Sequence, residues 1–198
     1  MWQGLVLEAK SLACERGGRL IFKDLTFTVN GGEAVELRGP NGAGKSSLLR
    51  LLAGLNKPAG GNLSLSGQGE DVATHAHYIG HNEAAKPALT IHENLDFWAR
   101  FLGGKADLAP LKLQRLAQDE ARLLSEGQRR RLALSRLVSI KRPLWLLDEP
   151  TVGLDQTALA DLRGIIQMHL AEGGMVIAAT HADLGLPKMR ALQLEARS

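Results

Sequence analysis

The eight residues from Gly39 to Ser46, GPNGAGKS, satisfy every fixed position of the phosphate-binding pattern G-x-x-x-x-G-K-[ST]. Glycines allow the backbone to bend around phosphate oxygens with its N–H groups aimed inward, in conformations that a Cβ would obstruct. Lys45 would reach the β- and γ-phosphates, and the Ser46 hydroxyl would bind Mg²⁺. We disfavour a glycine-rich turn with a chance lysine, because the loop lies between a predicted strand and a predicted helix. The predicted nucleotide-binding residues are Gly39, Pro40, Asn41, Gly42, Ala43, Gly44, Lys45, Ser46 and Ser47.

A second candidate for chemistry is the acidic pair at the end of the apolar run LWLLDEP. A carboxylate at the end of a buried parallel strand lies at the edge of the sheet where phosphate loops open. Asp148 is therefore predicted to hold Mg²⁺, directly or indirectly, and Glu149 to polarise the attacking water. The alternative is an ordinary strand that ends in two acids, and the upstream phosphate loop favours the functional interpretation.

The elements that would position these residues follow from the apolar pattern. The short segments LVLEA, LTFTV and NLSLS, with turns at NGG and SGQG, predict an N-terminal antiparallel β layer. The runs PLWLLDEP and MVIAATH are typical of parallel strands covered on both faces. Between them, TALADLRGIIQMHLAEGG has helical spacing and ends at Gly173 and Gly174, which predicts a βαβ crossover.

The middle of the chain is predicted to be helical. Thr90 and Glu93 form a capping-box pattern before ENLDFWARFL, and APLKLQRLAQ is predicted to form a second helix behind Asp107. We expect one domain over residues 1–198, with a helical subdomain inserted at about 87–135. The 44% hydrophobic content is ample for a packed core, and the one cysteine, Cys14, cannot form an internal disulfide.

The segment Leu124 to Gln128, LSEGQ, precedes a predicted helix. Its serine, Ser125, stands 23 residues before Asp148 (148 minus 125). It resembles the LSGGQ signature of ATP-binding cassette (ABC) ATPases. The resemblance implies an α/β fold, the P-loop NTPase fold of ABC type, with a mixed β core, the antiparallel layer and a small helical subdomain. It also implies ATP and Mg²⁺ as cofactors, and a second copy of the chain in a nucleotide-sandwich dimer. Ser125, Gly127 and Gln128 of one copy would then contact the γ-phosphate held by the other.

Four further positions follow from the same resemblance. Asp155 in GLD occupies the position of the family's D-loop, and His181 in ATH that of the switch histidine, which contacts the γ-phosphate and the attacking water. Arg16 stands where the family usually stacks an aromatic residue on adenine, and a guanidinium can also stack there. Asn82 stands where the family has a glutamine that contacts the nucleotide and its metal ion.

A basic stretch, SEGQRRRLALSRLVSIKRP, raises nucleic acid as an alternative partner, with six arginines and lysines in nineteen positions. Successive helical residues are about 100° apart, so Arg129, Arg130 and Arg131 fan around the axis rather than forming one stripe. The net charge of +3 provides no strong field. We predict that these arginines are mostly solvated or paired and that nucleic acid is no partner. The histidines at 75 and 77 are likewise expected to be surface residues rather than metal ligands.

The stretches CER, YIGH, PLWLLDEP and GGMVIAATHADL resemble one branch of these ATPases, the CcmA family of haem export and cytochrome c maturation. The resemblance implies membrane subunits resembling CcmB, CcmC and CcmD, and a functional link to the haem chaperone CcmE, whose haem-loaded form the hydrolysis would release. It also implies a peripheral location at the cytoplasmic face of the bacterial inner membrane. An ATPase subunit of another small-molecule or lipid transporter is the alternative.

Overall fold

A three-stranded antiparallel sheet forms the N-terminal layer of the computed structural model, which describes residues 1–66 and 71–195. Its strands β1 (Val6–Arg16), β2 (Arg19–Asn30) and β4 (Gly60–Leu65) lie in the order β2-β1-β4. Alternate residues such as Leu7 and Val29, which are paired across β1 and β2, are buried. The predicted antiparallel layer is confirmed, whereas most of the predicted SGQG turn lies outside the described residues.

A five-stranded parallel sheet forms the centre of the fold. Its strands are β3 (Ala34–Arg38), β5 (Ala76–Ile79), β6 (Leu144–Asp148), β7 (Met175–Ala179) and β8 (Met189–Gln193), in the order β5-β6-β7-β3-β8. Every residue of β6 and β7 is buried, as expected for strands that helices cover on both faces. The helices α1 (Lys45–Leu52) and α4 (Gln156–Ala171) follow β3 and β6, which confirms the predicted strand-loop-helix unit and the βαβ crossover. Strands β5 and β8 were not predicted from the sequence.

Two helices form much of the segment predicted to be a helical subdomain, and the second extends four residues beyond its predicted end. Helix α2 (Ile91–Leu102) begins at the predicted capping box, in which Thr90 accepts a hydrogen bond from the Glu93 N–H and the Glu93 carboxylate accepts one from the Thr90 N–H. Helix α3 (Glu126–Ser139) begins after Ser125. A hydrophobic cluster separate from those on the central sheet supports the proposed subdomain; it contains Ile91, Leu95, Leu108, Leu113, Ala121, Leu124 and Leu132.

The predicted helix over APLKLQRLAQ is wrong. These residues form turns and a single 3₁₀ turn, Gln114–Leu116, and Lys112 has a φ of 57°, which an α-helix of L-residues does not accommodate. The leucines of this segment are buried in different clusters: Leu111 packs against the parallel sheet, whereas Leu113 packs under α2. Tertiary burial in two directions therefore overrides the helical propensity of the segment.

The basic stretch also differs from the prediction. Arg130 is 3% exposed and Arg136 is 8% exposed, so the prediction that the arginines are mostly solvated or paired on the surface is wrong for these two, which are buried. The Arg136 side chain donates a hydrogen bond to the Ala133 carbonyl oxygen of its own helix and lies 5.2 Å from the ring centroid of Trp98. Neither guanidinium faces solvent, and this supports the prediction that the stretch does not clamp a nucleic-acid backbone.

The expectation that His77 lies on the surface is also wrong. It belongs to the buried strand β5, and its Nε2 lies 2.8 Å from the Ile140 carbonyl oxygen. His169 on α4 is buried as well and stacks on Trp145 with a centroid separation of 3.7 Å. Burial lowers the pKa of both imidazoles from 6.5 to about 4, because a charged ring loses its hydration in the interior.

These two histidines predict that the protein loses stability in mild acid. The unfolded chain protonates both rings near pH 6.5, whereas the folded protein resists protonation down to about pH 4. The free energy of unfolding should therefore fall as the pH drops from 6.5 to 4, by at most about 3 kcal/mol per histidine. Urea titrations between pH 8 and pH 4 measure this. His77→Gln should remove about half of the histidine contribution to the loss, and an unchanged pH dependence in that variant would contradict the assignment.

Candidate nucleotide-binding and hydrolysis site

The phosphate loop connects β3 to α1 at the carboxyl edge of the parallel sheet. The Lys45 ammonium donates hydrogen bonds to the carbonyl oxygens of Gly39, at 2.7 Å, and Pro40, at 3.2 Å, so it lies over the loop. Gly44 has a φ of 97°, and a Cβ at this position would lie 2.6 Å from Ile21 Cγ2. Glycine is therefore required here by both the backbone conformation and the available space. The N–H groups of the first turn of α1 have no helical acceptors and are free for an anion.

Ser46 and Asp148 meet beside this loop. The Ser46 hydroxyl donates to Asp148 Oδ1 at 3.1 Å, because α1 begins at the carboxyl edge of the sheet where β6 ends. A hydroxyl and a carboxylate are hard oxygen ligands of the kind that Mg²⁺ prefers. The donor set therefore fits the metal ion that accompanies ATP.

Tyr78 is a member of this cluster that the sequence reading missed. Its hydroxyl donates to Asp148 Oδ2 at 3.2 Å and accepts a hydrogen bond from Arg50 Nε at 3.4 Å. Burial raises the pKa of the Tyr78 phenol, which keeps the hydroxyl protonated as a donor. The signal that could have found it is the short apolar run AHYI, since β5 pairs in parallel with β6 and ends at the same edge.

Glu149 and His181 lie together just beyond the ends of their strands, one residue after β6 and two residues after β7. The Glu149 N–H donates to the Ala179 carbonyl oxygen at 2.8 Å. The Glu149 carboxylate accepts a hydrogen bond from the His181 N–H at 3.3 Å, and its other oxygen lies 3.6 Å from His181 Nε2. This brings a potential general base and a histidine to one side of the phosphate loop.

A cavity of about 330 Å³ joins these groups. Arg16 reaches it from the end of β1 and Ile21 from β2, so the residue predicted to stack on adenine lines the same cavity as the phosphate loop. Sequence reasoning had not included Ile21. The remaining lining residues are Asn41, Gly42, Gly44, Lys45, Ser46, Ser47, Asp148, Glu149, Ala179 and His181.

Among the described residues, the structure does not bring Asn82 into hydrogen-bonding contact with Ser46 or Asp148. Asn82 lines a different cavity, of about 370 Å³, together with Glu126 and Arg129. Strand β5 ends at Ile79, and Asn82 lies three residues beyond it. Tyr78, and not Asn82, contacts the carboxylate predicted to bind Mg²⁺.

The signature residues form the start of α3. Ser125 accepts a hydrogen bond from the Gln128 N–H at 3.2 Å, and the Gln128 side chain accepts one from the Ser125 N–H at 2.9 Å. Gly127 lies against Gly153, whose carbonyl oxygen would clash with a Cβ on Gly127. Asp155 caps α4 by accepting a hydrogen bond from the Ala158 N–H at 2.7 Å. These residues group around the starts of α3 and α4, whereas Lys45, Glu149 and His181 line the phosphate cavity.

The fold and this site define an ATP-binding cassette. The family model described as ABC transporter matches residues 22–152. Proteins named cytochrome c biogenesis ATP-binding export protein CcmA are similar over nearly the whole chain. The one from Nitrobacter winogradskyi is 51% identical, across 91% of this chain and 94% of the relative, and the one from Chelativorans sp. is 45% identical, across 96% and 98%. The chain belongs to the CcmA family of ABC transporter ATP-binding proteins, and it is an ABC-type ATPase.

Solved structures agree with this fold. An ATP-binding subunit of an ABC transporter is 28% identical, with a TM-score of 0.80 across 89% of this chain and 80% of the other. A dimeric ATP-binding cassette in a post-hydrolysis state, bound to ADP and phosphate, has the same TM-score of 0.80 at 23% identity, across 97% of each chain. Among the described residues, no helix is both long enough and apolar enough to cross a membrane.

Proposed function

We propose that this chain hydrolyses ATP to drive an export complex for cytochrome c biogenesis. One observation carries the hydrolytic part of the proposal: Ser46 and Asp148 meet in the same cavity as Lys45, Glu149 and His181. The export part is supported by the CcmA relatives, which match the chain almost from end to end. Release of a haem-loaded chaperone is the step that hydrolysis would drive.

In this mechanism the ATP phosphates lie on the loop, where backbone N–H groups and the first turn of α1 face them. The Lys45 ammonium exchanges its two carbonyl acceptors for β- and γ-phosphate oxygens. Ser46 and Asp148 would hold Mg²⁺, which neutralises charge on the phosphates when it is bound. Glu149 orients a water molecule for attack on the γ-phosphorus and draws off its proton, and His181 is hydrogen-bonded beside that carboxylate.

We infer that a second copy of the chain completes each site. Ser125 and the N–H groups at the start of α3 form an anion-binding end, yet they lie outside the cavity that the phosphate loop lines. In a head-to-tail pair, Ser125, Gly127 and Gln128 of one copy would close on the γ-phosphate of the other, with Asp155 at the contact between the copies. The solved dimeric cassette supports such an assembly.

The membrane partners that we propose are subunits resembling CcmB, CcmC and CcmD, with the haem chaperone CcmE as the functional target. The chain would then be held peripherally at the cytoplasmic face of the inner membrane. A motor for another small-molecule or lipid transporter is the competing function. The competing function predicts the same ATP chemistry, so only an experiment on cytochrome c maturation in cells distinguishes it from the proposed function.

Cells that carry Lys45→Ala or Glu149→Gln in place of the natural chain test the pathway. Haem loading of the periplasmic chaperone should continue, because loading does not require this ATPase, whereas transfer of haem to apocytochrome c should stop. Haem staining should therefore show accumulated haem-loaded chaperone and a loss of mature c-type cytochromes. Lys23→Ala, an exposed lysine paired with Asp24, serves as the control and should leave both pools normal. Normal cytochrome c in the Lys45→Ala cells would contradict the pathway but not the ATPase activity.

A further inference from the structure

A buried arginine of α3 holds the backbone that carries the candidate base. The Arg130 guanidinium is 3% exposed, and four carbonyl oxygens accept its hydrogen bonds. Nη1 donates to Gly80 at 2.7 Å, Nη2 donates to Asp148 at 2.7 Å and to Glu149 at 2.5 Å, and Nε donates to Pro150 at 3.4 Å. The planar fork thus joins the ends of β5 and β6 to the helix that begins at the signature.

The backbone of Glu149 needs such support. Its φ of 49° lies in the left-handed region, which costs a non-glycine residue energy and persists only when the surroundings hold it. The Glu149 N–H is fixed on one side by the Ala179 carbonyl oxygen of β7. Arg130 fixes the Glu149 carbonyl on the other side. Both peptide groups of this residue are therefore tied down, and the carboxylate is aimed at the phosphate cavity beside His181.

We propose that Arg130 is a positioning residue for hydrolysis, which sets the place of the Glu149 carboxylate without contacting the nucleotide. The proposal rests on the proposed function of Glu149 as the base. Without the guanidinium, three adjoining carbonyls at residues 148–150 lose a buried donor, and the turn relaxes. A displacement of the base by about 1 Å lowers the rate of a chemical step by about 10²-fold.

Arg136 allows a purely structural role to be separated from this one. It lies on the same helix and is also buried, but its hydrogen bond goes to Ala133 of its own helix and its guanidinium faces Trp98. If α3 merely needed a buried arginine for folding, substitutions at Arg130 and Arg136 would have similar effects. If Arg130 positions the base, only its loss should slow hydrolysis at unchanged nucleotide affinity.

The test compares Arg130→Met with Arg136→Met in the assembled membrane complex, with thermal unfolding as the measure of folding. Arg130→Met should lower kcat by about 10²-fold and change the Kd for ATP by less than about 3-fold, while Arg136→Met should change kcat by less than about 3-fold. If Arg130→Met does not fold, Arg130→Lys replaces it. A single ammonium reaches fewer of the carbonyls than the guanidinium does, so the kcat of Arg130→Lys should lie between the wild-type value and the value expected for Arg130→Met. A folded Arg130 variant with wild-type kcat overturns the proposal.

A double variant separates positioning of the base from a purely structural role, because only positioning makes the effect of Arg130→Met on the hydrolysis rate depend on Glu149. In the Glu149→Gln background, Arg130→Met should lower the residual rate by less than about 3-fold, because positioning a base that is already absent gains nothing. The same large factor in both backgrounds would overturn the proposal while leaving Glu149 as the base. Normal turnover in Glu149→Gln alone would instead overturn the proposed function of Glu149 as the base, and the two failures are thus distinguishable.

Discussion

ATP should remain bound but unhydrolysed when Glu149 is replaced by glutamine. The amide has the same shape as the carboxylate and can still accept the hydrogen bond that the His181 N–H donates to this side chain, but it cannot take a proton from water. Loss of a general base costs about 10²–10⁴-fold in rate. The phosphate loop and the Ser46–Asp148 pair are untouched by this change, so affinity for ATP with Mg²⁺ should persist.

The measurement is steady-state phosphate release from the assembled complex, alongside ATP binding to the same preparation. Glu172→Gln is a matched control, since Glu172 is exposed at the end of α4, and it should hydrolyse ATP at the wild-type rate. A fully occupied Glu149→Gln complex with near-normal turnover would show that another group activates the water.

Mixing two inactive variants should restore hydrolysis if each site is shared between two copies. Lys45→Ala removes the phosphate contact of one half-site, and Ser125→Arg places a bulky side chain in the other half-site. A mixed pair has one site with both defects and one with neither. Random pairing of equal amounts should therefore restore about a quarter of the wild-type number of intact sites.

Each variant alone provides the control for this mixture, because neither homogeneous pair contains an intact site. ATP hydrolysis is measured after the subunits are exchanged and reassembled with the membrane partners. A mixture as inactive as its components would contradict the shared site. So would a homogeneous Ser125→Arg assembly with full activity.

The sequence was most informative where function depends on a local stretch of chain. The phosphate loop needs its glycines, lysine and serine within eight adjacent positions, so residues 39–46 revealed the site directly. The apolar runs of β6 and β7 likewise predicted buried parallel strands, and with them the edge at which Asp148 and Glu149 lie. The positions of the family residues, such as Arg16 beside the cavity, depended on the resemblance.

The missed residues act through contacts that are distant along the chain. Tyr78 meets Asp148 across 70 positions, and Arg130 meets Gly80 across 50. No periodicity encodes such a contact, because it depends on which strands become neighbours in the sheet. Distant contacts also explain the wrong prediction of a helix after Asp107, because the leucines there divide between two hydrophobic clusters. They likewise explain why Arg130 and Arg136 were wrongly predicted to lie on the surface.

Single-turnover hydrolysis in the Glu149→Gln complex tests the central claim most directly. Radiolabelled ATP is bound to the wild-type and variant complexes, free nucleotide is removed, and the bound nucleotide is identified over time. We predict that the wild type converts its ATP to ADP and phosphate, whereas the variant retains intact ATP over at least about 10² wild-type half-times. Formation of ADP in the variant at the wild-type rate would contradict the assignment of Glu149 as the base for hydrolysis.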